Sequence, residues 1–260
     1  MTLSLSFVQT ADGRIAFREE GSGPPLLLLH SLGSSRHAWS GILPLLSSSH
    51  RVIAADVLGH GDSDQPRRPF AIADHAACLF EGLDLLGLNQ VTVVGNSLGA
   101  VVGLEMAASR PERVERLVLI GCPGPRGTAE KGARLAAVRS QLDARGIPGA
   151  LTDEEARSSY HHVTPEILEQ VNADRRKAGS WYLATSQALM AYDVETRFGA
   201  VHCPVLLLWG AHDRGQDKAP SFLAGITGAR MAIVPDAGHV AQVAQPVAVA
   251  GLIRQFLAEP

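Results

Sequence analysis

The sequence predicts an α/β protein with a mostly parallel, eight-stranded sheet, helices on both faces and an inserted helical cap. Two observations lead to this fold class. Apolar segments of strand length alternate with amphipathic helical patterns through most of the 260 residues, as in parallel sheets covered on both faces. Residues 123–202 interrupt the alternation, because they contain helical patterns and no convincing strand. The alternating part is therefore expected to form the sheet.

Eight segments have the composition of β-strands. The first two alternate apolar and polar residues on either side of Ala11-Asp12-Gly13, which predicts a hairpin at an edge of the sheet. Most of the later ones are apolar runs, as expected for strands buried on both faces. In chain order the predicted strands are Leu3–Val8, Arg14–Arg18, Pro25–His30, Arg51–Asp56, Val91–Val94, Arg116–Ile120, Pro204–Trp209 and Ala229–Pro235.

Helical patterns fall into two groups. Those between predicted strands, or after the last one, are His37–Leu46 with Trp39 in the core, Ala71–Leu86, Ala100–Arg110, Pro220–Ile226 and Val247–Leu257. The other group is consecutive: Thr128–Ala144, Asp153–Tyr160, Pro165–Ala173 and Ser180–Tyr192, with a break at Gly146–Gly149. Four helices in a row exceed a normal crossover. We therefore expect a core domain of residues 1–122 and 203–260 and a helical cap of residues 123–202.

Composition is that of an ordinary globular protein, and 46% hydrophobic residues in 260 are enough for a substantial core. A net charge of −3 with both signs interspersed does not suggest a surface that binds nucleic acid or membrane.

Cys78, Cys122 and Cys203 are widely spaced, which fits a reduced protein rather than a disulfide framework. No signal peptide or membrane span is recognisable, so a cytoplasmic protein is expected, and homo-oligomerisation is left open.

The segment Val91–Val102 has the pattern of a nucleophile turn. An apolar strand leads into Gly95-Asn96-Ser97-Leu98-Gly99, and small residues open the following helix. In this G-x-S-x-G pattern a sharp turn presents a serine hydroxyl to a base, while the crowded positions two before and two after must be small. The pentapeptide alone also fits an ordinary strand-to-helix turn. Other parts of the chain must therefore supply a base, an acid and an oxyanion hole.

Two candidate partners of Ser97 follow predicted strands further along the chain. Asp213 lies just after Pro204–Trp209, and His239 lies just after Ala229–Pro235. Reactive groups in such sheets sit in loops at the carboxyl ends of strands. Either residue alone is commonly a helix cap, a turn residue or a solvated side chain. Their joint placement in the order Ser, Asp, His favours a catalytic triad in which His239 takes the serine proton and Asp213 orients the imidazole.

An oxyanion hole needs two backbone N–H groups. The turn predicts Leu98 as one donor, and the loop after Pro25–His30 predicts Leu32 as the other. His30 is interpreted as a structural residue that hydrogen-bonds loop backbone. Ser31 could donate to the substrate, and the aromatic residues of the cap either line the pocket or form cap core. The candidate substrate contacts are Ser31, Trp181, Tyr182, Leu189, Tyr192 and Val240.

No metal or cofactor site is expected. His161 and His162 are adjacent, so on a helix they would point apart, and no matching spacing of Cys, His or Asp accompanies them. The early glycines Gly13, Gly21 and Gly23 do not form a phosphate loop, because no G-x-x-x-x-G-K follows a strand. The polar residues Asp56, His60 and Asp62 are expected to tie down their own glycine-rich loop by hydrogen bonds.

The chain resembles the α/β-hydrolase superfamily over essentially its whole length. Besides G-N-S-L-G, it has D-V-L-G-H-G-D-S-D, P-V-L-L-L-W-G-A-H-D and P-D-A-G-H-V, which are similar to the family's loop, acid and histidine segments. The segment H-S-L-G-S-S-x-x-x-W is most similar to the 3-oxoadipate enol-lactonase group. The resemblance implies the α/β-hydrolase fold, with Ser97, Asp213 and His239 as the triad and Leu32 and Leu98 as oxyanion donors.

The resulting hypothesis is a cofactor-independent serine hydrolase that acts on a small ester or lactone through an acyl-enzyme. Few charged residues near Trp181–Tyr192 suggest a modest, partly apolar substrate. Two alternatives stay open. The first is hydrolysis of a C–C bond by the same triad, although C–C hydrolases of this superfamily usually show H-G-x-G-P-G where this chain has His30-Ser31-Leu32-Gly33. The second is a ligand-binding protein with a slow triad.

Overall fold

The computed structural model describes residues 5–259, and one eight-stranded sheet runs through its centre. The strands are β1 (Ser6–Thr10), β2 (Gly13–Glu20), β3 (Pro25–Leu29), β4 (Arg51–Ala55), β5 (Val91–Asn96), β6 (Val114–Ile120), β7 (Val205–Gly210) and β8 (Arg230–Val234). Their order is β1-β2-β4-β3-β5-β6-β7-β8, with β2 antiparallel to both its neighbours and all other pairs parallel. The predicted α/β sheet is confirmed. Leu3 and Ser4 of the first predicted strand lie outside the described residues.

In the described part of the chain, ten α-helices connect or cover these strands. They are α1 (Leu43–Leu46), α2 (Ile72–Leu85), α3 (Leu98–Ser109), α4 (Thr128–Ser140), α5 (Asp153–Tyr160), α6 (Pro165–Ala178), α7 (Trp181–Ala191), α8 (Ala219–Gly225), α9 (Ala241–Ala244) and α10 (Pro246–Leu257). Between residues 5 and 259, none is both long and apolar enough to cross a membrane.

The predicted helix His37–Leu46 was wrong in one respect. It is divided into a 3₁₀ turn at Arg36–Trp39 and the short helix α1. Pro44 lies in the first turn of α1, where no backbone N–H is needed for a hydrogen bond within the helix. In the middle of one long helix its missing N–H would break a hydrogen bond, so a single helix through this position is disfavoured. Trp39 is fully buried, as predicted.

Apolar side chains fill both faces of the sheet. On one face α2 and α3 pack against residues such as Leu27, Val93 and Leu117. On the other, Trp39, α1 and α10 cover the side chains that alternate with these along the same strands. Helix α3 is buried on every side, which explains why it contains mainly apolar and small residues. Because β3, β5, β6, β7 and β8 pair in parallel, their carboxyl ends meet at one edge of the sheet.

Helices α4–α7 lie between β6 and β7 and will be called the α4–α7 segment. Three contacts attach it to the edge where the strands end. The buried Asp174 carboxylate accepts a hydrogen bond of 2.7 Å from the Ser35 hydroxyl in the loop after β3. Lys177 pairs with Asp62 in the loop after β4. At the carboxyl end of α5, the Ser159 carbonyl accepts a hydrogen bond of 3.1 Å from the N–H of Val240.

Candidate active site

Ser97 occupies the sharp turn that the sequence predicts. Its φ of 53° and ψ of −107° are unusual for a residue other than glycine, and the residue stands between β5 and the first residue of α3. A Cβ atom on Gly95 would overlap the backbone of Gly99, and one on Gly99 would overlap the carbonyl of Leu29. Glycine is thus required at both positions by close backbone approach, and this packing sustains the strain at Ser97.

Hydrogen bonds fix the turn to its neighbours. The Ser97 N–H donates to the Ile120 carbonyl at 2.9 Å, and the Gly99 N–H donates to the His30 carbonyl at 3.0 Å. The Asn96 amide donates to the carbonyl of His239 at 3.0 Å and accepts from Gln242 at 3.1 Å. Sequence reasoning missed this role of Asn96, which couples the turn to the loop that carries His239. The only signal was its place as the first variable position of G-x-S-x-G.

Asp213 and His239 meet as the sequence predicts. His239 Nδ1 lies 2.9 Å from Asp213 Oδ2, and Asp213 Oδ1 accepts a hydrogen bond of 2.8 Å from the Gly215 N–H. Burial of Asp213 favours its neutral form, but the hydrogen bond and charge of His239 outweigh burial and lower the carboxyl pKa. Asp213 is therefore ionised near neutral pH and fixes which imidazole nitrogen carries the proton.

Ser97, Asp213 and His239 all line one cavity, so the structure brings the three predicted residues to the same edge of the sheet. Among residues 5–259, no hydrogen bond joins the Ser97 hydroxyl to His239, and bonds of this kind often tighten only when substrate is bound. Gly121, at the end of β6, leaves room for the imidazole: a Cβ there would lie 3.0 Å from His239 Nδ1.

Of the two predicted oxyanion donors, Leu98 lies in the turn itself and Leu32 lies in the loop after β3. Within the described part of the chain, neither the Leu32 N–H nor the Leu98 N–H donates to a protein acceptor. Leu32 lines the cavity, whereas Leu98 is fully buried beneath Ser97. His30 is structural, as predicted: its Nδ1 lies 2.8 Å from the Ser31 carbonyl, and its Nε2 accepts from the Val57 N–H at 3.1 Å. These bonds hold the loop beside the nucleophile turn.

The cavity has a volume of about 1280 Å³ and lies between the sheet edge and the α4–α7 segment. Four of the predicted substrate contacts line it, namely Ser31, Tyr182, Leu189 and Val240. The other two do not. Trp181 packs over Gly59, and a Cβ atom added to that glycine would lie 3.2 Å from the Trp181 side chain. The Tyr192 hydroxyl donates a hydrogen bond of 2.6 Å to Glu105 on α3. Neighbouring aromatic residues on α7 thus face different surroundings.

One wall of the cavity is more basic than the sequence suggested. It contains Arg126, Arg134 and Lys218, together with the carboxylates Glu130 and Asp217. Arg126 Nε lies 3.1 Å from Glu130, and Lys218 Nζ lies 3.7 Å from it, while Arg134 has no carboxylate partner among the residues described. Burial, and then the charge of Arg134, lowers the pKa of Arg126. Because these residues come from α4, the loop before it and the turn before α8, the composition of α7 did not reveal them.

The structure also brings together His161, His212 and Asp236, whose potential ligand atoms lie within 4.8 Å of one another. Sequence reasoning had set His161 aside because neighbours on a helix point apart. That premise was wrong: His161 ends α5 with a φ of 67°, and its ring centroid is 4.4 Å from that of His162. The matching residues come from two loops distant in sequence, which no local spacing could show.

Comparison with known proteins identifies the family. The family described as "alpha/beta hydrolase fold" matches residues 24–145. A hydrolase from Pseudomonas aeruginosa PA01 has a structure with a TM-score of 0.84 and 31% identity, with both chains covered completely. The 2-hydroxymuconate semialdehyde hydrolase of Pseudomonas sp. CF600 is 28% identical over 95% of this chain and 91% of that protein. The 3-oxoadipate enol-lactonase 2 of Acinetobacter baylyi is 28% identical over 86% and 85%.

The chain belongs to the α/β-hydrolase superfamily, as its motifs predicted. Fold and relatives together support hydrolase activity. The relatives named for an enol-lactone and for a semialdehyde are equally identical to this chain, so identity alone does not choose between their reactions.

Proposed function

We propose that the protein is a cofactor-independent serine hydrolase that cleaves a small carboxylic ester or lactone through an acyl-enzyme on Ser97. One observation carries the proposal. A serine in a strained strand-to-helix turn faces the same cavity as an imidazole that is hydrogen-bonded at 2.9 Å to a buried carboxylate. This is the arrangement that activates a serine hydroxyl as a nucleophile.

In the first half of the reaction, His239 accepts the Ser97 proton as the serine oxygen attacks the substrate carbonyl. Asp213 stabilises the imidazolium that forms, without itself becoming protonated. The negative charge on the tetrahedral intermediate falls between the N–H groups of Leu32 and Leu98, which have no other acceptor in the described structure. The intermediate then expels the alkoxide or enolate, which receives the proton from His239.

In the second half, water replaces the leaving group. His239 removes a proton from this water, the hydroxide attacks the acyl carbonyl, and the same two N–H groups hold the second oxyanion. Collapse of that intermediate breaks the bond to Ser97 and returns the proton to its oxygen. For a lactone the leaving group stays covalently part of the acyl chain, so hydrolysis gives one hydroxy acid (or keto acid) rather than two products.

Residues 123–202 act in this proposal as a cap that covers the site and sets substrate size. The contacts of Asp174 with Ser35, and of Val240 with Ser159, hold it over the loops beside Ser97 and His239. Nothing in the proposed chemistry requires a metal, nucleic acid or membrane. The free thiols of Cys78, Cys122 and Cys203 suit a reducing compartment, and we propose a cytoplasmic location.

The basic wall favours a substrate that carries a carboxylate. The cavity lining has six Arg or Lys side chains and five Asp or Glu side chains, so its positive charge exceeds its negative charge by one. Arg126 and Lys218 pair with Glu130, whereas Arg134 has no carboxylate partner among the described residues. We expect Arg134→Gln to raise KM for an ester with a free carboxylate roughly fivefold, because one exposed charge contributes about 1 kcal/mol. KM for a neutral ester should not change. Arg139→Gln, on an exposed turn of α4 away from the cavity, is the matched control.

The nucleophile is tested with a fluorophosphonate probe and p-nitrophenyl esters. We expect rapid labelling and multiple turnovers by the wild-type protein, and neither by Ser97→Ala. Ser140→Ala, at the exposed end of α4, serves as the matched control and should behave as wild type. Undiminished turnover by Ser97→Ala would contradict the proposal. Labelling without turnover on any ester would favour the ligand-binding alternative.

Hydrolysis of a C–C bond is the second candidate, because the semialdehyde hydrolase relative matches nearly the whole chain. The same triad would serve both reactions. A panel of enol-diones and enol-lactones with equal carboxylate charge, compared by kcat/KM, separates them. A preference for the lactones supports the main proposal, and a preference for the diones supports this second one.

A further inference from the structure

Three side chains lie together beside the loops that carry Asp213 and His239, and one of them, His212, also lines the active-site cavity. His161 terminates α5, His212 immediately precedes Asp213 after β7, and Asp236 lies between β8 and His239. The rings of His161 and His212 stack with centroids 3.8 Å apart and planes 12° from parallel. Three segments that are remote in sequence thus bring two imidazoles and one carboxylate side by side. Because the two rings are stacked in nearly parallel planes, one ring must turn before both can direct a nitrogen at a single ion.

The backbone around this point is well anchored. The His212 N–H donates to the Ala237 carbonyl at 2.9 Å, and the His161 N–H donates to the Arg157 carbonyl at 2.9 Å. Both His161 and Asp236 have positive φ values, 67° and 49°, which is uncommon for residues other than glycine. In contrast to the backbone, the side chains are unengaged: within residues 5–259, neither ring nor the Asp236 carboxylate makes a hydrogen bond to protein.

The donor set suits a particular class of ion. Imidazole nitrogen and carboxylate oxygen bind zinc at about 2.0–2.2 Å, so tetrahedral ligands lie about 3.4 Å from one another. The three ligand atoms here are within 4.8 Å, and rotation of partly exposed side chains closes that difference. Two nitrogen ligands favour zinc, nickel or copper over magnesium and calcium, which prefer sites made of oxygen alone. Water would complete the coordination shell.

We propose that His161, His212 and Asp236 form a binding site for a divalent transition-metal ion of the zinc class. The ion would join the carboxyl end of α5 to the two loops that hold the Asp213–His239 pair. Since α5 belongs to the α4–α7 segment, metal binding would restrain this segment relative to the sheet. The serine chemistry proposed above does not require this ion, although His212 lines the same cavity as Ser97 and directly precedes Asp213.

The test uses the full-length protein, freed of metal with a chelator and titrated with zinc sulfate by isothermal calorimetry at neutral pH. We expect one ion bound per chain and a higher midpoint of thermal unfolding with zinc than without. Magnesium sulfate at the same concentrations should do neither. Failure of zinc to bind, or equal binding of magnesium, would overturn the assignment.

Substitutions then locate the ion. His161→Asn, His212→Asn and Asp236→Asn keep polar side chains of similar shape, and asparagine tolerates the positive φ at two of these positions. Loss of a residue that only hydrogen-bonds a metal ligand already lowers metal affinity by about 10–100-fold. Loss of a ligand itself should therefore lower the zinc affinity of each variant at least about tenfold. The controls His50→Asn and His202→Asn lie outside the cluster and should retain wild-type affinity. Equal losses in the variants and controls would contradict the site, and circular dichroism checks that every variant is folded.

Discussion

We expect three buried histidines to make the stability of this protein sensitive to mild acid. His30, His60 and His75 are at most 3% exposed, and the rings of His30 and His60 lie 5.3 Å apart. Among the described residues, both ring nitrogens of His60 and Nε2 of His75 lack hydrogen-bond partners. The prediction that His60 would tie down its loop by side-chain hydrogen bonds is therefore wrong. Burial lowers the pKa of all three rings, that of His60 well below its ordinary value.

The size of the effect can be worked out for His75. Burial lowers its pKa from 6.5 to about 4. Between these values the unfolded chain binds a proton that the folded protein excludes, so stability falls as the pH falls. A pKa difference of about 2.5 corresponds to about 3 kcal/mol when the window is crossed completely. From pH 7 to pH 5 the expected loss is about 2 kcal/mol, and His30 and His60 add to it in the same direction.

Urea unfolding at several pH values between 7 and 5 measures this loss. The variant His75→Leu removes the titrating group and places an apolar side chain beside Phe70, whose ring centroid is 5.2 Å from that of His75. We expect its free energy of unfolding to fall about 2 kcal/mol less than that of wild type over this range. His202→Gln, at an exposed position, should keep the wild-type slope. Equal slopes for His75→Leu and wild type would refute the reasoning.

Three further predictions concern the site and its supports. Asp213→Asn should lower kcat about 10⁴-fold without unfolding the protein, measured on whichever ester the wild type cleaves. Gly99→Ala should cost about 1–3 kcal/mol in chemical unfolding because its Cβ would overlap Leu29, whereas Gly251→Ala, with nothing within 4 Å, should be neutral or stabilising. Asp174→Ala should lower stability by about 1–3 kcal/mol, since Ser35 loses its buried acceptor, and wild-type stability would contradict the anchoring role.

The sheet and the candidate triad could be predicted because their signals are local. Continuous apolar runs give buried strands, and the carboxyl ends of parallel strands meet at one edge. Ser97, Asp213 and His239 each follow such a strand, so their meeting needed no knowledge of loop conformation. The need for glycine at Gly95 and Gly99 could also be predicted from the sequence, because close backbone approach requires small residues on both sides of a serine turn.

The remainder of the site depends on how the helices are oriented, and the residue types along a helix do not determine its orientation. Trp181 and Tyr182 are neighbours on α7, yet Tyr182 lines the cavity and Trp181 packs on Gly59. Arg134 reaches the cavity from α4 although the segment has no charge pattern that distinguishes it from Arg139. Residues that converge from separate loops, such as His161 and His212, carry no shared spacing in the chain. His161 and His212 come close together only when the α4–α7 segment is packed on the sheet.

The contacts of the α4–α7 segment indicate why its placement matters for chemistry. It is attached to the loop after β3, which holds the Leu32 N–H, through Ser35 and Asp174. It is attached to the loop of His239 through the bond between the Val240 N–H and the Ser159 carbonyl. A movement of this segment would therefore displace the proposed oxyanion donor Leu32 and the proposed general base His239 together. Because catalysis depends on sub-ångström placement of such groups, the segment is expected to influence kcat as well as substrate size.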